Sequence, residues 1–245
     1  MSKGCSKPAM SSLMEYYVVT KRFFVTGTDT EVGKTFTTQA LLRALQARHT
    51  GCAVNGFKPL AAGAELIDGQ WQNEDGVALQ KASSSTLDYP LVNPEVYPQA
   101  IAPHIAAMLC QRPIDESNID NALVQISECS DWLLVEGAGG WHVPFNPQRC
   151  FSDWVVAHQL PVILVVGVRL GCLNHALLTV QAIRASRLPL VGWVANHLSE
   201  PTEVSHDNVS YLKEAIDAPL LGVLPYSPGS APVQLATYLD VSALD

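Results

Sequence analysis

The segment Phe23–Thr35, FFVTGTDTEVGKT, constrains this chain more than any other. A short apolar run (Phe23, Phe24, Val25) breaks into a loop holding Gly27 and Gly33, then into Lys34, Thr35 and a stretch with helical periodicity. A strand, a phosphate-sized loop and a helix start together make an anion site. Glycine lets backbone N–H groups turn inward, and the first helical turn adds unpaired donors at the positive end of its dipole. Lys34 is then placed to reach the outer phosphates of a nucleotide, and the Thr35 hydroxyl to ligate Mg²⁺. The spacing departs from G-x4-GK-[ST], because five residues, Thr28 to Val32, separate the two glycines and Thr28 stands where the first should be. The GKT triplet between a strand and a helix still predicts nucleotide binding over an ordinary glycine turn.

Beyond Thr35 the chain reads as alternating strands and helices. Thr37, Ala40, Leu41, Ala44 and Leu45 recur at the spacing of an amphipathic helix that Gly51 ends. Ala53–Lys58 is a second strand stopped by Pro59, with Lys58 at its carboxyl end, where ligands collect in open α/β sheets. Ala61–Trp71 reads as loop, Glu74–Lys81 as a short helix carrying Asp75, and Ser83–Pro98 as rich in turns. Pro103 and His104 precede the apolar stretch Ile105–Leu109, and Ile119, Leu123 and Ile126 mark a helix capped by Asp115 or Ser117. Trp132–Val135 is a buried strand closed by Glu136 and the turn Gly137, Ala138, Gly139, Gly140. The strand 161–167, a helix from about Leu173 to Ser186, the strand 190–195, a polar helix near His206–Ile216 and the strand 220–224 complete the series. Near-continuous apolar strands require a parallel sheet covered on both faces, so the expected fold is α/β, doubly wound and mainly parallel, like the P-loop NTPases. Residues 21–245 are expected to form one domain, preceded at 1–20 by a disordered extension in which Met14 is an alternative start.

A chain of 245 residues can bury a sizeable core. Its net charge of -8 and pI near 5.3 argue against nucleic-acid and anionic-membrane partners. Small-molecule chemistry is the better default. The six cysteines show no C-x-x-C pair and no histidine at zinc spacing, so they read as reduced thiols of a cytoplasmic protein. No apolar run approaches the ~20 residues needed to cross a bilayer.

Three further features narrow the chemistry. Asp75 and Glu136 with Thr35 offer hard oxygen ligands suited to Mg²⁺. On spacing alone Asp75 is equally a solvated helix charge, whereas Glu136 ends an apolar strand, where an unpaired carboxylate is costly. Lys58 is a candidate second cation beside the phosphates, although a lysine after a strand is more often a surface residue. Asn196, after the 190–195 run, resembles a base-reading asparagine, and Ser199 in place of a guanine-reading Asp favours adenine; it can equally cap the next segment. Gly171, Cys172, Leu173 and Asn174 open a helix whose free amides could take a carboxylate, or form a routine cap.

Taken together, GTDTEVGKT (27–35), GFKPLAAG (56–63), APH (102–104), VEGAGGW (135–141), LPVILVVGVRLGCLNHALLT (160–179) and GWVANH (192–197) resemble dethiobiotin synthetase over roughly Lys21–Tyr226. The resemblance implies a cytoplasmic, ATP- and Mg²⁺-dependent enzyme of biotin synthesis that turns 7,8-diaminononanoate and CO₂ into a carbamate, then a carbamic-phosphoric anhydride, then a ureido ring. It further implies that Glu31, Val32, Gly33, Lys34, Thr35 and Phe36 wrap the triphosphate, that Thr35, Asp75 and Glu136 hold Mg²⁺, and that Lys34 and Lys58 stabilise the carbamate and phosphoryl charge. Glu136, Gly137, Ala138 and Gly139, with Thr30, would line the phosphate and substrate site. Asn196, His197, Pro225, Tyr226 and Ser227 would contact adenosine. The Gly171–Asn174 terminus would take the substrate carboxylate across a homodimer interface. Two departures stand out: Ala62 where the family usually has a substrate-contacting Ser, and no ribose-contacting Glu within Ser227–Gln234. Each lost hydrogen bond is worth about 0.5–1.5 kcal/mol, which weakens binding without abolishing activity. Two other classes share parts of this pattern. A P-loop switch or partitioning ATPase commonly carries another lysine within its phosphate loop, and Thr28–Val32 has none. A non-catalytic paralogue would bind the diamine without turnover.

Overall fold

The computed structural model describes residues 20–229 and 231–245. The expected extension at 1–20 therefore lies, apart from Thr20, outside the described residues. From the first apolar run comes β1 (Lys21–Gly27), followed by α1 (Lys34–Arg48) and β2 (Val54–Phe57). Next come β3 (Leu60–Ala62), β4 (Ala64–Ile67), β5 (Gln70–Asn73), α2 (Glu74–Ala82), α3 (Tyr89–Val92), β6 (Glu95–Tyr97) and α4 (Pro103–Leu109). The rest alternates regularly: α5 (Glu116–Glu128), β7 (Trp132–Glu136), α6 (Phe151–Ala157), β8 (Val162–Val168), α7 (Cys172–Ala185), β9 (Leu190–His197), α8 (Glu203–Ala215), β10 (Leu220–Leu224) and α9 (Pro232–Leu235).

The main sheet has the order β10-β9-β8-β1-β7-β2, and every pairing in it is parallel. Parallel strands place all their carboxyl ends at one edge of the sheet. The alternation along β8 and β9 separates two cores. Ile163, Val165 and Val194 join the core that α1, α5 and α6 cover, while Leu164, Val166, Trp193 and Ala195 face α7 and α8. This is the doubly wound α/β architecture expected from the run of apolar strands. The helix α1 is buried more widely than its stripe requires, Thr38 and Leu42 included, because α2 and α9 pack on it as well as the sheet.

Two segments differ from expectation. Ala61–Trp71 is not loop but holds the end of β3 and most of an antiparallel hairpin, β4 with β5, turning at Asp68 and Gly69, both at positive φ. Asp-Gly is a hairpin signal. Its flanks hide it, since Leu66, Ile67 and Trp71 are exposed and supply no buried face. The turn-rich Ser83–Pro98 contains α3 and β6, the latter pairing in parallel with β3 over three residues, too few for a period to register. Asp115, not Ser117, caps α5, its carboxylate accepting from the amides of Ser117 and Asn118.

Candidate active site

The candidate residues gather where the strand ends demand. Gly27 ends β1, Lys58 follows β2, Glu136 ends β7, His197 ends β9 and Pro225 follows β10, so five distant stretches of sequence meet at one edge.

The phosphate loop is the first component. Glu31 has φ 58 and Gly33 has φ 80, so two left-handed residues bracket Val32 and re-aim successive amides, as in the nests that bind anions. Gly33 has a second reason to lack a Cβ, which would lie 2.2 Å from Asn196 Nδ2. Among the described residues no side chain caps α1, which leaves its first-turn donors for a ligand. Lys34 folds back to donate to the carbonyl of Asp29 at 3.1 Å.

The second component is a charged cluster. Lys58 is only 2% exposed, and its ammonium donates to Glu136 Oε1 at 2.7 Å, Asp75 Oδ2 at 2.8 Å and the Gly137 carbonyl at 3.2 Å. Burial pulls the Lys58 pKa down, but the carboxylates of Glu136 and Asp75 outweigh it and hold the group above its ordinary value. Burial likewise works to raise Asp75, and Lys58 and the Thr35 hydroxyl overcome it, so this carboxyl sits below its usual range. At Lys34 the balance falls the other way: burial first, and then the charge of Lys58, outweigh the carboxylates of Glu136, Asp75 and Asp29 and bring it down to about 8.

Thr35 Oγ1 lies 2.7 Å from both Asp75 Oδ1 and Glu136 Oε1. One hydroxyl proton cannot serve two carboxylates. Three oxygens therefore converge on a single hydroxyl proton, with the Lys58 ammonium also donating to Glu136 Oε1, and Glu136 Oε2, buried, has no partner among the described residues. An acceptor-rich set of hard oxygens fits a small divalent cation such as Mg²⁺.

The remaining expected residues take varied places. Asn196 is buried and donates from Nδ2 to the Val32 carbonyl at 2.9 Å, bracing the phosphate loop, a role that neither base reading nor capping anticipated. His197 is buried against His206, and burial, then that neighbour, lowers its pKa. Tyr226 is partly exposed in the coil after β10, between Pro225 and Ser227. Gly137, Ala138 and Gly139 turn directly out of β7, and Thr30 lies in the phosphate loop near Gly139. At the start of α7, Cys172 turns its thiol into the core and donates its amide to the Arg169 carbonyl, which leaves Leu173 and Asn174 as the first-turn donors of that helix. Ala62 ends β3, its carbonyl accepting from Asn73 Nδ2.

One feature near the loop went unread in the sequence: Arg169 Nη2 donates to Asp29 Oδ2 at 2.5 Å, tying the loop to the turn before α7. Only the position of Asp29 inside the loop hinted at it. A cleft of about 370 Å³ lies at the opposite edge, between the starts of β1 and β8 and the C-terminal residues Leu244 and Asp245, and holds none of the candidates.

Comparison with known proteins finds relatives over most of the chain. A family described as an AAA domain matches residues 21–234. The ATP-dependent dethiobiotin synthetase of Salmonella typhi is 46% identical over 229 residues, spanning 93% of this chain and 99% of the relative. That of Vibrio parahaemolyticus is 46% identical over 222 residues, spanning 91% and 96%, and that of Escherichia coli K12 is 47% identical over 208, spanning 85% and 92%. Among solved structures, a ParA family ATPase from Chlorobium tepidum aligns with a TM-score of 0.52 at 14% identity, over 91% of this chain and all of that one. The latter likeness shows the shared fold alone.

Proposed function

The chain belongs to the dethiobiotin synthetase family, and from that premise we propose how its residues carry out ATP-dependent carboxylation and ring closure of 7,8-diaminononanoate. One observation supports the reading above the others: a buried ammonium, that of Lys58, sits against the same two carboxylates that meet Thr35, at the edge where the phosphate loop opens.

Residues 21–245 act as one catalytic domain, cytoplasmic and paired with a second copy. The amides of Glu31–Phe36 and the Lys34 ammonium hold the triphosphate. Asn196, His197 and the Pro225–Ser227 coil face the adenosine. Thr35, Asp75 and Glu136 hold Mg²⁺, which when bound supplies positive charge to the phosphate oxygens. One amine of the diamine adds to CO₂, losing a proton, and Lys58 with Thr30 and Gly139 orients the resulting carbamate. A carbamate oxygen then attacks the γ-phosphorus and ADP leaves. The second amine attacks the carbamoyl carbon, the carbon–oxygen bond to the phosphoryl group breaks, and phosphate leaves with the proton that this amine gives up as the ureido ring closes. Lys34 and Lys58 stabilise charge as it moves between these oxygens. The substrate itself is the nucleophile, so positioning replaces any Ser/His or Cys/His pair. The amides of Gly171–Asn174 from the second copy receive the distal carboxylate.

Purified protein incubated with ATP, Mg²⁺, bicarbonate and the diamine should release ADP only when the diamine is present. Release indifferent to the diamine would place the chain with the switch ATPases, and no release with the non-catalytic paralogues.

A further inference from the structure

Lys58 and Asp75 are 17 positions apart, and the chain between them runs through β3 and the exposed β4–β5 hairpin. A hairpin whose Leu66, Ile67 and Trp71 are exposed does not by itself fix a distance at the scale of a hydrogen bond. Something else sets the pair. Asn93 Nδ2 donates to the Lys58 carbonyl at 2.6 Å. The Tyr89 hydroxyl donates to Asn93 Oδ1 at 2.9 Å and accepts from the Asn73 amide at 2.7 Å. Asn73 Oδ1 accepts from the Asp75 amide at 3.1 Å, capping α2. The Lys58–Asp75 ion pair closes the ring.

These three side chains are 2–6% exposed, so each hydrogen bond is made where no water can replace it. Asn73 Nδ2 is also satisfied, by the carbonyls of Ala62 and Gly63. The ring tolerates nothing inside it: a Cβ on Gly76, in the first turn of α2, would lie 2.6 Å from Asn93 Oδ1 and 3.0 Å from the Tyr89 hydroxyl.

Resting on the reading of Lys58 given above, we propose that Tyr89, Asn93 and Asn73 are positioning residues, which lock the backbone of Lys58 to the start of α2 and so set where its ammonium and the Asp75 carboxylate stand. None of the three touches the ammonium. They act on turnover through the placement of two backbones, and the grip on ATP, made by the loop and α1, is independent of them.

Tyr89→Phe keeps the aromatic side chain and deletes the hydroxyl, which opens the hydrogen-bonded ring between Asn73 and Asn93. The matched control is Tyr97→Phe, which deletes a buried hydroxyl bonded to Glu95 at 3.0 Å on the neighbouring β6 and outside the ring. A misplacement near 1 Å costs on the order of a hundredfold in rate, so Tyr89→Phe should lower kcat by about ten- to a hundredfold with the KM for ATP within about twofold. Tyr97→Phe should leave kcat unchanged. In a Lys58→Gln background, Tyr89→Phe should cost less than it does in the wild-type enzyme, because only the placement of Asp75 is left for it to disturb. A crystal structure of Tyr89→Phe, which requires no substrate, should show the Lys58 Nζ to Asp75 Oδ2 separation beyond about 3.5 Å. An unchanged separation, retained kcat, or a loss equal to that of Tyr97→Phe overturns the proposal. Wild-type protein without diamine-dependent ADP release would sink the proposed function instead, and the crystal distance would then decide this inference alone.

Discussion

Replacing Lys58 by Gln separates the grip on ATP from the chemistry performed on it. The side chain keeps most of its stem and one donor, but the charge between Asp75 and Glu136 disappears. Glu136 is fully buried and cannot regain water, whereas the Asp75 side chain is 35% exposed and partly can. Breaking a buried pair costs about 3–5 kcal/mol, and the access of Asp75 to solvent puts this case near ~3 kcal/mol. At roughly 2–4 °C per kcal/mol for a chain of this size, the melting temperature should fall by about 6–12 °C. Adding Mg²⁺ should recover part of that, because a cation at the Thr35 oxygens neutralises the same carboxylates. Losing one preorganised cation from a transferring group lowers kcat by about 10²- to 10³-fold. The loop amides and Lys34 remain, so the ATP dissociation constant should move by less than about threefold. Calorimetry of ATP binding beside steady-state ADP release measures both quantities. Equal losses in kcat and ATP affinity, or a melting temperature that does not move, would refute the role given to Lys58.

Three further perturbations test the geometry. Burial and the charge of Lys58 bring Lys34 down to about 8; a triphosphate prefers the ammonium, so ATP affinity should be flat below about pH 7 and fall above about pH 8, approaching tenfold per unit. A flat titration through about pH 9 by calorimetry would contradict this. Glu136→Gln keeps the shape of the side chain but removes its charge from the oxygen cluster, and should raise the Mg²⁺ concentration for half-maximal ADP release by about tenfold or more; an unchanged Mg²⁺ dependence would exclude Glu136 as a ligand. Asn196→Ala leaves the Val32 carbonyl without its donor at a cost of about 1–2 kcal/mol, so the KM for ATP should rise roughly five- to thirtyfold while kcat stays near the wild-type value; a loss confined to kcat would show that the asparagine does more than brace the loop.

What could be read from the chain divides along a physical line. The phosphate loop, α1 and the strands of the main sheet are legible because each is a local pattern: glycine spacing, a 3.6-residue period, or an apolar run that needs cover on both faces. β3, β6 and the hairpin are too short or too exposed to carry a period, and only Asp68-Gly69 announced the latter. The start of α6 was hidden because its N-cap is Cys150, a residue with no capping preference. At the site, residue types were legible and their relations were not. Nothing local marks Lys58 as buried, since its burial is made tolerable by carboxylates 17 and 78 positions away. The sequence around Asn196 suggests a base contact or a cap, and nothing local shows that its side chain also holds a backbone carbonyl 164 positions earlier. Tyr89 and Asn93 lie in a stretch that composition marks only as turn-rich, and their meaning appears when the Lys58 carbonyl and the Asp75 amide are seen in one ring.

Whether one sheet edge gathers the metal ligands, the second cation and the phosphate loop for a single reaction is tested most directly by a crystal structure with Mg²⁺, ADP and the diamine bound. The expected result is one ion held by Thr35, Asp75 and Glu136 at the phosphates, with the Lys58 ammonium facing the carbamate side of the same pocket. An ion bound away from these oxygens, or a diamine lodged where Lys58 cannot reach it, would contradict the assignment.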